Sequence, residues 1–548
     1  MITVTCRGKQ CILPDGARYA DAAAFYQDMF EEEILLACSG FEKHPRELFR
    51  VMHDGEEVDF LTYRAATAAR AYRRTAALLL KIAVEEVFGK TAEMCLEFNL
   101  GGNFFAGIRN KKPTSGEVDR IRKIMKELAE ADLPLVKESL PCSKAMQILE
   151  EAGQSREARF LHYRQSSRVN IYYLQGKPCY FVGRLCSRTG AVRRFDLIPY
   201  DAGMLLVLPG SKDPEKLNPV AAPGKHFFTQ IASQDWAERV GISNLTDFND
   251  RIVEGTSDRV ILMQEARFEK QLGDVAERVI RDGRKFIFLA GPSSSGKTTT
   301  AYRIGIQLRA FGVEPRIISA DDYFTPVAQR PLLPDGSPDL ESIRAVDVEL
   351  FNSDMVRLLS GETVELPEFN FVTQDREYRG KKITLTENTV LIVEGIHCLN
   401  PIFSQRIPKE KKLKLFVSAM TPLCISDMNP IATSDCRLLR RMIRDHRTRG
   451  RSAEMTIAGW DEVRKGEEEN IFPFQEEADI TLNSAMIYEL SALKTYVEPL
   501  LFGIEPDSPQ YDEARRLLKF LSFVLSIPND LIPATSILRE FIGGSRVE

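Results

Sequence analysis

The chain opens with short segments in which apolar and polar residues alternate. This pattern predicts β-strands at residues 3–6 and 10–13, followed by a turn at Pro14-Asp15-Gly16. Apolar residues then recur at helical spacing over residues 65–88 and again over residues 117–131. We therefore expect a small β-rich module, followed by helices that each bury one face.

The middle of the chain mixes strands with these helices. Further strands are predicted at residues 170–174, 179–183 and 205–208, so this portion is interpreted as α+β. Pro, Gly, Lys and Asp become frequent over residues 209–225, which is typical of a linker. A helical pattern over residues 259–282 leads from this linker into the last part of the chain.

From residue 285 onward, short apolar runs rich in β-branched and aromatic residues alternate with helical patterns. These runs lie at residues 286–289, 316–319, 390–393 and 414–417. Such alternation is typical of βαβ units and predicts an α/β domain, with a parallel sheet flanked by helices. An amphipathic helix predicted at residues 511–525 would either pack on this domain or form a dimer contact.

Composition and charge exclude some classes of protein. With 73 Lys and Arg against 78 Asp and Glu, the net charge is -5, so no overall positive field would attract nucleic acid or an anionic membrane. No apolar run approaches the roughly 20 residues that a bilayer span needs, and the N-terminus lacks the pattern of a signal peptide. We expect a cytoplasmic protein with no membrane partner.

The strongest chemical signal is a glycine-rich loop between an apolar strand and a helix. It follows the pattern G-x-x-x-x-G-K-[ST], in which backbone N–H groups and a helix N-terminus bind phosphate. Lys297 is expected to reach the β- and γ-phosphates of a nucleotide, and Thr298 to bind Mg²⁺. The alternative is an ordinary turn rich in Gly and Ser. The candidate nucleotide-binding residues of this loop are Gly291, Ser293, Ser294, Ser295, Gly296, Lys297, Thr298 and Thr299.

Two acidic positions follow other predicted strands of the same sheet. Asp321 and Asp322 come after the strand at residues 316–319, where a carboxylate can accept the proton of an attacking hydroxyl. Their alternative role is a helix cap or turn. Glu394 ends the strand at residues 390–393 and is the candidate Mg²⁺ ligand, unless it is simply a solvated acid at a strand end.

A run of arginines occupies one face of a predicted helix. Arg437, Arg440, Arg441 and Arg444 have the spacing i, i+3, i+4 and i+7, and like charges at this spacing repel one another. We interpret the run as a lid whose arginines stabilise the charge on a transferring phosphoryl group, although such runs are often only solvated faces.

Taken in order, five segments resemble the uridine kinase and phosphoribulokinase family. They are the loop at residues 291–298, Ser319-Ala320-Asp321-Asp322-Tyr323-Phe324, Pro367-Glu368-Phe369-Asn370-Phe371, Val393-Glu394-Gly395 and Arg440-Arg441-Met442-Ile443-Arg444-Asp445. The resemblance covers roughly residues 285–484. It implies that Asp321 is the general base, that Lys297, Arg441 and Arg444 act on the transferred phosphoryl group, and that Arg449 and Arg451 contact the nucleotide.

The resemblance is weaker where the base and sugar would be recognised. Uridine-cytidine kinases carry a Tyr and a His around the Phe-Asn-Phe segment, where this chain has Phe369 and Gln374. The acid expected to hold the ribose hydroxyls aligns near Arg344, with Asp339, Glu341 and Asp347 as substitutes. The candidate substrate-binding residues are Asp322, Tyr323, Phe369, Phe371, Gln374 and Arg376.

The N-terminal 210 residues or so resemble the TGS module and second additional domain of threonyl-tRNA synthetase. The resemblance rests on Glu57-Val58-Asp59-Phe60-Leu61-Thr62, Ser187-Arg188-Thr189-Gly190 and Phe195-Asp196-Leu197. It implies a small ubiquitin-like module and an α+β domain. The positions of that family's editing pocket are here Arg74, Leu78, Phe181 and Leu185, so we expect aminoacyl-ester hydrolysis to be lost.

These patterns together predict five parts and one leading function. The parts are a TGS-like module at 1–61, an α+β domain at 62–222, a helical linker at 223–283, a kinase domain at 284–503 and a helical segment at 504–548. The leading hypothesis is an ATP-dependent nucleoside kinase that uses Mg²⁺ and forms a homo-oligomer. The alternatives are a kinase for a sugar or sugar phosphate, and a regulator that contacts RNA through its N-terminal half and uses the loop as a nucleotide switch.

Overall fold

The computed structural model of the chain divides into two compact units, which are described separately. The residues described are 1–40, 44–210, 213–326, 329–332, 339, 341–370, 373 and 375–547. The first unit comprises Met1–Pro223, Asn244–Asn249 and Leu423–Ala432. The second comprises Gly224–Ser243, Asp250–Pro422 and Thr433–Glu548.

The first unit begins with a five-stranded sheet of order β2-β1-β5-β3-β4. Its elements are β1 (Ile2–Cys6), β2 (Lys9–Leu13), α1 (Tyr19–Tyr26), β3 (Leu36–Ser39), β4 (Pro45–Glu47) and β5 (Glu56–Leu61). Strand β1 runs antiparallel to β2 and parallel to β5. Alternate residues of β1 are buried, and they pack with α1 in one core, as the alternating pattern predicts. The two strands predicted here are confirmed.

The rest of the first unit is α+β, as expected. A four-stranded antiparallel sheet has the order β11-β12-β7-β6, and a three-stranded one has the order β10-β9-β8. The strands are β6 (Met94–Leu100), β7 (Asn103–Ile108), β8 (Val136–Pro141), β9 (Arg168–Leu174), β10 (Lys177–Cys179), β11 (Asp196–Tyr200) and β12 (Gly203–Val207). The helices are α2 (Ala66–Phe88), α3 (Ser115–Glu130), α4 (Cys142–Glu151) and α5 (Ser155–Leu161).

The strand predicted at residues 179–183 is wrong for most of its length, because β10 ends at Cys179. Beyond that residue, the backbone bonds to a side chain that lies far away in the sequence. The Val182 N–H donates to Asn429 Oδ1 at 2.7 Å, and Asn429 Nδ2 donates to the Tyr180 carbonyl at 3.3 Å. The side chain of Asn429 therefore replaces a neighbouring strand at these positions.

Three helices follow the predicted linker: α6 (Lys225–Arg239), α7 (Leu245–Val253) and α8 (Ser257–Arg281). The helix predicted at residues 259–282 corresponds to α8. Its buried face carries Val260, Ile261, Phe268, Leu272 and Val275, which recur at helical spacing.

The second unit is built on a parallel sheet of order β14-β19-β13-β20-β23, which confirms the predicted α/β fold. Its strands are β13 (Phe286–Ala290), β14 (Glu314–Ser319), β19 (Thr389–Glu394), β20 (Lys412–Ser418) and β23 (Ile480–Asn483). Every residue of the central strand β13 is buried, since helices cover both faces of such a sheet. This burial explains the continuous apolar run that made β13 recognisable in the sequence.

Short strands and further helices complete the chain. The remaining strands are β15 (Thr363–Glu365), β16 (Glu368–Asn370), β17 (Asp375–Glu377), β18 (Lys382–Thr384), β21 (Cys424–Ser426) and β22 (Asn429–Pro430), of which the last two fall in the first unit. The helices are α9 (Lys297–Ala310), α10 (Val348–Leu359), α11 (Thr433–Arg449), α12 (Ala453–Ala458), α13 (Trp460–Asn470), α14 (Glu489–Phe502), α15 (Tyr511–Leu521) and α16 (Arg539–Ile542).

The amphipathic helix near the C-terminus packs within the second unit. Helix α15 lies against α14 and buries Leu517 and Leu521. Arg516 forms a two-bond ion pair with Asp435 of α11, at 2.7 and 2.8 Å. Of the two alternatives for this helix, packing on the α/β domain is the one observed. No helix in the described part of the chain has both the length and the apolar character of a membrane span.

Candidate active site

Three neighbouring strands of the parallel sheet end at the same level. In register, Leu289 of β13 pairs with Glu394 of β19, and Glu394 pairs with Ser319 of β14. The glycine-rich loop follows β13 directly, and Asp321 lies two residues after β14. The fold therefore brings the loop, Glu394 and Asp321 to one edge of the sheet, where ligands of such folds bind.

The loop has a backbone that other residues could not easily adopt. Gly296 has φ 82° and Ser294 has φ 59°, both in the left-handed region. A Cβ atom on Gly291 would lie 2.1 Å from the Val417 carbonyl oxygen. Helix α9 begins at Lys297, and its N-cap Gly296 offers no side chain to the first N–H groups. These N–H groups are therefore available to an anion.

Polar side chains of the loop fit an anionic ligand. The Ser294 and Ser295 hydroxyl oxygens are buried and have no hydrogen-bond partner among the described residues. Lys297 Nζ donates to the Gly291 and Pro292 carbonyls at 3.0 and 3.3 Å, so the ammonium lies over the loop. Buried hydroxyls without partners are costly, and phosphate oxygens could accept their hydrogens.

Two of the lid arginines hold the loop in place from α11. Arg437 forms a buried ion pair with Glu467 and donates to the Ser293 carbonyl at 3.1 Å. Glu467 in turn accepts the Ser293 N–H at 2.9 Å. The pair therefore binds both backbone groups of Ser293.

Arg440 does the same one turn further along α11. It forms two bonds of 2.6 Å with Glu489 and donates to the carbonyls of Ser294, at 3.3 Å, and Ser484, at 2.9 Å. Its side chain is fully buried. Buried carboxylates thus neutralise Arg437 and Arg440. These two arginines do not form a solvated helix face, and they are not accessible to a ligand.

Arg441 and Arg444 are placed differently. Arg441 donates to the Ser293 hydroxyl at 2.7 Å and pairs with Asp445 at 3.3 Å. Arg444 pairs with Glu540 at 3.6 Å. Burial lowers the pKa of both arginines, so an additional anion would stabilise their charged forms.

Of the two remaining lid arginines, Arg449 is the last residue of α11 and Arg451 lies just beyond it. Arg449 is half exposed and donates to the buried Asp445 at 3.0 Å. Arg451 donates to the Met455 carbonyl at 3.4 Å. Both positive charges lower the pKa of Arg441, which places them within its electrostatic reach.

The two adjacent aspartates take different roles. Asp322 caps the short turn that it belongs to, since its oxygens accept the N–H groups of Ser319 at 3.4 Å and Phe369 at 3.3 Å. Asp321 faces the loop instead. Burial raises the pKa of Asp321 to about 6, the Lys297 ammonium opposes this, and Asp322 adds to it. The cap interpretation therefore applies to Asp322.

Glu394 lies in the same electrostatic field. Burial raises the pKa of Glu394 to about 7, against the lowering effect of Lys297, while the nearby charge of Asp321 raises it further. No set of three or more His, Cys, Asp or Glu side chains within the described ranges could hold a metal alone. Mg²⁺ that is coordinated by the phosphates of a nucleotide needs fewer ligands from the protein. Thr298 and Glu394, whose negative charge is disfavoured by burial and by Asp321, fit such an ion.

The predicted substrate-binding residues have different surroundings in the fold. Tyr323 is fully buried, packs on Phe351 and donates to Asp354 at 3.2 Å, so its side chain belongs to the core. Phe369 is buried in β16, and Arg376 of β17 pairs with Asp347 at 2.9 Å. Two further predicted residues lie outside the described ones: Phe371 and Gln374.

Of the three acids that could substitute at the sugar position, Glu341 is the one that faces the loop. Burial raises the pKa of Glu341, and the charges of Lys297 and Arg441 lower it. By contrast, Asp347 caps α10 through the Leu350 N–H at 3.0 Å, and Asp339 accepts the N–H groups of Glu341 and Ser342.

Several residues of the site carried no signal in the sequence. Arg330 lies over the rings of Phe324 and Phe369, with its Cζ atom 5.7 and 4.9 Å from the two centroids. The acids that pair with the lid arginines lie on elements that are distant in the sequence, so no local pattern identified them. They are Glu467, Glu489 and Glu540. No local pattern marks a residue whose partner lies far along the chain.

Comparisons with known proteins match the C-terminal part of the chain. Residues 286–490 match the model of the phosphoribulokinase and uridine kinase family. The uridine kinase of Mycoplasma pneumoniae is 33% identical over 184 residues, which cover 33% of this chain and 77% of that protein. The uridine kinase of Mycoplasma genitalium is 30% identical over 177 residues, covering 32% and 74%. The solved structure of the YGR205w protein is 19% identical, covers 36% of this chain and 85% of its own, and has a TM-score of 0.27.

Proposed function

This chain belongs to the phosphoribulokinase and uridine kinase family through residues 286–490, and on that premise we propose that it is an ATP-dependent nucleoside kinase. It would transfer the γ-phosphate of ATP to the 5′-hydroxyl of a nucleoside. The observation that carries the proposal is the register of β13, β14 and β19, which ends these strands at one level and so gathers the loop, Asp321 and Glu394.

The loop and the start of α9 would bind the nucleotide. Backbone N–H groups and the hydroxyls of Ser294 and Ser295 would donate to phosphate oxygens, and Lys297 would move from the loop carbonyls to the β- and γ-phosphates. Thr298 and Glu394 would hold Mg²⁺. When bound, this ion supplies positive charge that stabilises the phosphates during transfer.

Asp321 would act as the general base. Its carboxylate accepts the proton of the substrate hydroxyl, the hydroxyl oxygen forms a bond to the γ-phosphorus, and the bond to the β-phosphate oxygen breaks. Arg441 and Arg444 would stabilise the charge on the transferred group, and Arg449 and Arg451 would contact the nucleotide. Arg437 and Arg440 act indirectly, since they hold the loop.

Glu341 is the acid that we assign to the sugar. It is half-buried close to the charges of Lys297 and Arg441, where its carboxylate could accept hydrogen bonds from sugar hydroxyls. The backbone N–H of Phe369 links β16 to Asp322, which ties the wall of this region to the turn that carries Asp321.

Activity should fall in acid because both carboxylates must be ionised. The pKa of Asp321 is raised to about 6 and that of Glu394 to about 7, so each loses its negative charge as the pH falls through these values. We expect kcat/KM to be level above about pH 8, to begin to fall near pH 7 and to decline steeply below about pH 6. The measurement is kcat/KM against pH, with binding of ADP followed in parallel. A profile that stays level down to about pH 5 would contradict the role of these two groups.

The proposal is tested by a substrate panel. Purified protein with Mg²⁺ and ATP is given ribonucleosides, deoxyribonucleosides, ribulose 5-phosphate and simple sugars, and ADP release is followed. We expect monophosphate to form from one class of nucleoside, and none with Lys297→Ala, which removes the phosphate-binding ammonium. ATP binding without transfer to any acceptor would count against a kinase and favour the nucleotide-switch hypothesis.

A sugar phosphate is the second candidate substrate, and Arg330 is the observation that favours it. Its guanidinium is nearly buried beside Phe369, in the region that we assign to the acceptor. A buried cation suits an anionic substrate better than a neutral nucleoside. Turnover of ribulose 5-phosphate in preference to every nucleoside would establish this alternative.

For the first unit we propose a binding or regulatory role. The division into a TGS-like module, a second-additional-domain-like region, a linker, a kinase domain and a C-terminal segment remains our proposal for the whole chain. Leu78, Phe181 and Leu185, three positions of the editing pocket in the synthetase family, are buried and apolar here. They offer no group that could activate water. An RNA contact through this unit, a homo-oligomer and a cytoplasmic location are further proposals.

A further inference from the structure

The C-terminal segment contacts the phosphate-binding loop from outside the part matched by the family model, which ends at residue 490. The side chain of Ile537 lies directly on Gly296, where an added Cβ would be 2.4 Å from Ile537 Cδ1. Ile537 is fully buried. The turn of the loop that opens α9 is therefore covered by residues of this segment.

Glu540, on the short helix α16, reaches two groups that we assign to phosphate: Thr299 of the nucleotide-binding loop and the lid arginine Arg444. The Thr299 hydroxyl donates to Glu540 Oε2 at 2.8 Å. Arg444 lies 3.6 Å from Glu540 Oε1. One carboxylate thus bridges the first turn of α9 and a lid arginine, at a helix N-terminus that favours negative charge. A phosphate would find the same attractions there.

The segment is held in this position by a built set of contacts. Arg539 donates to the side-chain and main-chain oxygens of Asn529, at 3.1 and 2.9 Å. The Ser536 hydroxyl is bonded to the Tyr488 hydroxyl at 2.9 Å. Arg447 donates to the Glu540 carbonyl at 2.5 Å. The position of the Glu540 carboxylate is therefore specified by packing and hydrogen bonds.

We propose that Glu540 competes with a nucleotide phosphate for Thr299 and Arg444, so that the C-terminal segment restrains nucleotide binding. A threonine hydroxyl has one hydrogen to donate, so it serves either the carboxylate or a phosphate oxygen. A carboxylate and a phosphate placed side by side also repel one another. Nucleotide binding must then move Glu540 away, and the free energy of that movement weakens the apparent affinity.

This inference rests on the proposed function, and direct binding of ADP and ATP tests the two separately. Glu540→Gln removes the negative charge and keeps the shape of the side chain. We expect it to bind ADP about tenfold more tightly than wild type in calorimetric titration. Asp530→Asn is the matched control, because it removes one charge from an exposed residue of the same segment and should bind like wild type.

Each outcome has one meaning. Equal or weaker binding by Glu540→Gln, with binding by wild type intact, overturns the inference and leaves the proposed function standing. Failure of both proteins to bind ADP overturns both. Hydrogen exchange gives a second readout: amides of residues 536–547 should exchange faster in wild type with saturating ADP than without it. Unchanged or slower exchange contradicts displacement of the segment.

Discussion

Replacing Asp321 by Asn is expected to lower kcat by about 10²- to 10⁴-fold, because the variant cannot accept the proton of the attacking hydroxyl. Nucleotide binding should persist, since the role proposed for Asp321 is with the acceptor hydroxyl and the loop is held by Arg437 and Arg440. Folding should not suffer either, because burial already disfavours the ionised form of this carboxyl group. Single-turnover transfer, ADP titration and thermal unfolding measure the three quantities.

Asp322→Asn provides the contrast for this prediction. It changes the neighbouring residue in the same way, but Asp322 serves as a cap for Ser319 and Phe369. We expect a loss of stability of about 1 kcal/mol, as is typical for a weakened cap, and a decrease in kcat much smaller than that of Asp321→Asn. Turnover by Asp321→Asn within a few-fold of wild type would remove Asp321 from the mechanism.

The largest effect on stability is expected at the buried pair of Arg437 and Glu467. Both side chains are 1% exposed, so Glu467→Gln would leave the guanidinium charge without its buried counter-ion. Breaking such a pair costs about 3–5 kcal/mol in free energy of unfolding. Equilibrium unfolding in urea measures this loss. The loop should also become less ordered, because the pair binds both backbone groups of Ser293.

Two further variants make this prediction specific. The double variant Arg437→Met and Glu467→Gln removes the unpaired charge while Gln can still accept the Ser293 N–H, and it should recover much of the lost stability. The exposed pair of Arg357 and Glu362, 2.9 Å apart, serves as the control. Glu362→Gln should change stability by less than about 1 kcal/mol. A similar loss for Glu467→Gln and Glu362→Gln would mean that burial of the first pair does not matter.

The lid arginines illustrate how the site departs from a simple interpretation of the sequence. Their spacing on α11 predicts repulsion that an anionic ligand would relieve. In the fold, Glu467, Glu489 and Asp445 relieve most of it, and Glu540 contributes to the rest. Arg441 remains bonded to the loop through the Ser293 hydroxyl, and burial disfavours the charge of both Arg441 and Arg444. The helix therefore combines arginines that hold the loop with arginines for which we propose a role in transfer, and its sequence alone does not distinguish the two.

The sequence by itself determined the elements and the motifs that depend on neighbouring residues. Apolar runs rich in β-branched and aromatic residues indicated the four strands β13, β14, β19 and β20, and the runs are continuous in β13 and β19 because the centre of a parallel sheet is buried on both faces. The loop at residues 291–298 was recognisable for a similar reason, since its backbone conformation and the helix that follows are specified within one short segment.

Only the tertiary structure decided which distant residues meet. It separated the cap Asp322 from Asp321, placed Glu341 near the charges of Lys297 and Arg441, and ended β10 at Cys179 because Asn429 binds the residues that follow. Each of these outcomes depends on contacts between elements that the chain brings together only on folding. Periodicity and local propensity carry no information about such pairings, because burial and electrostatic partners are properties of the packed structure.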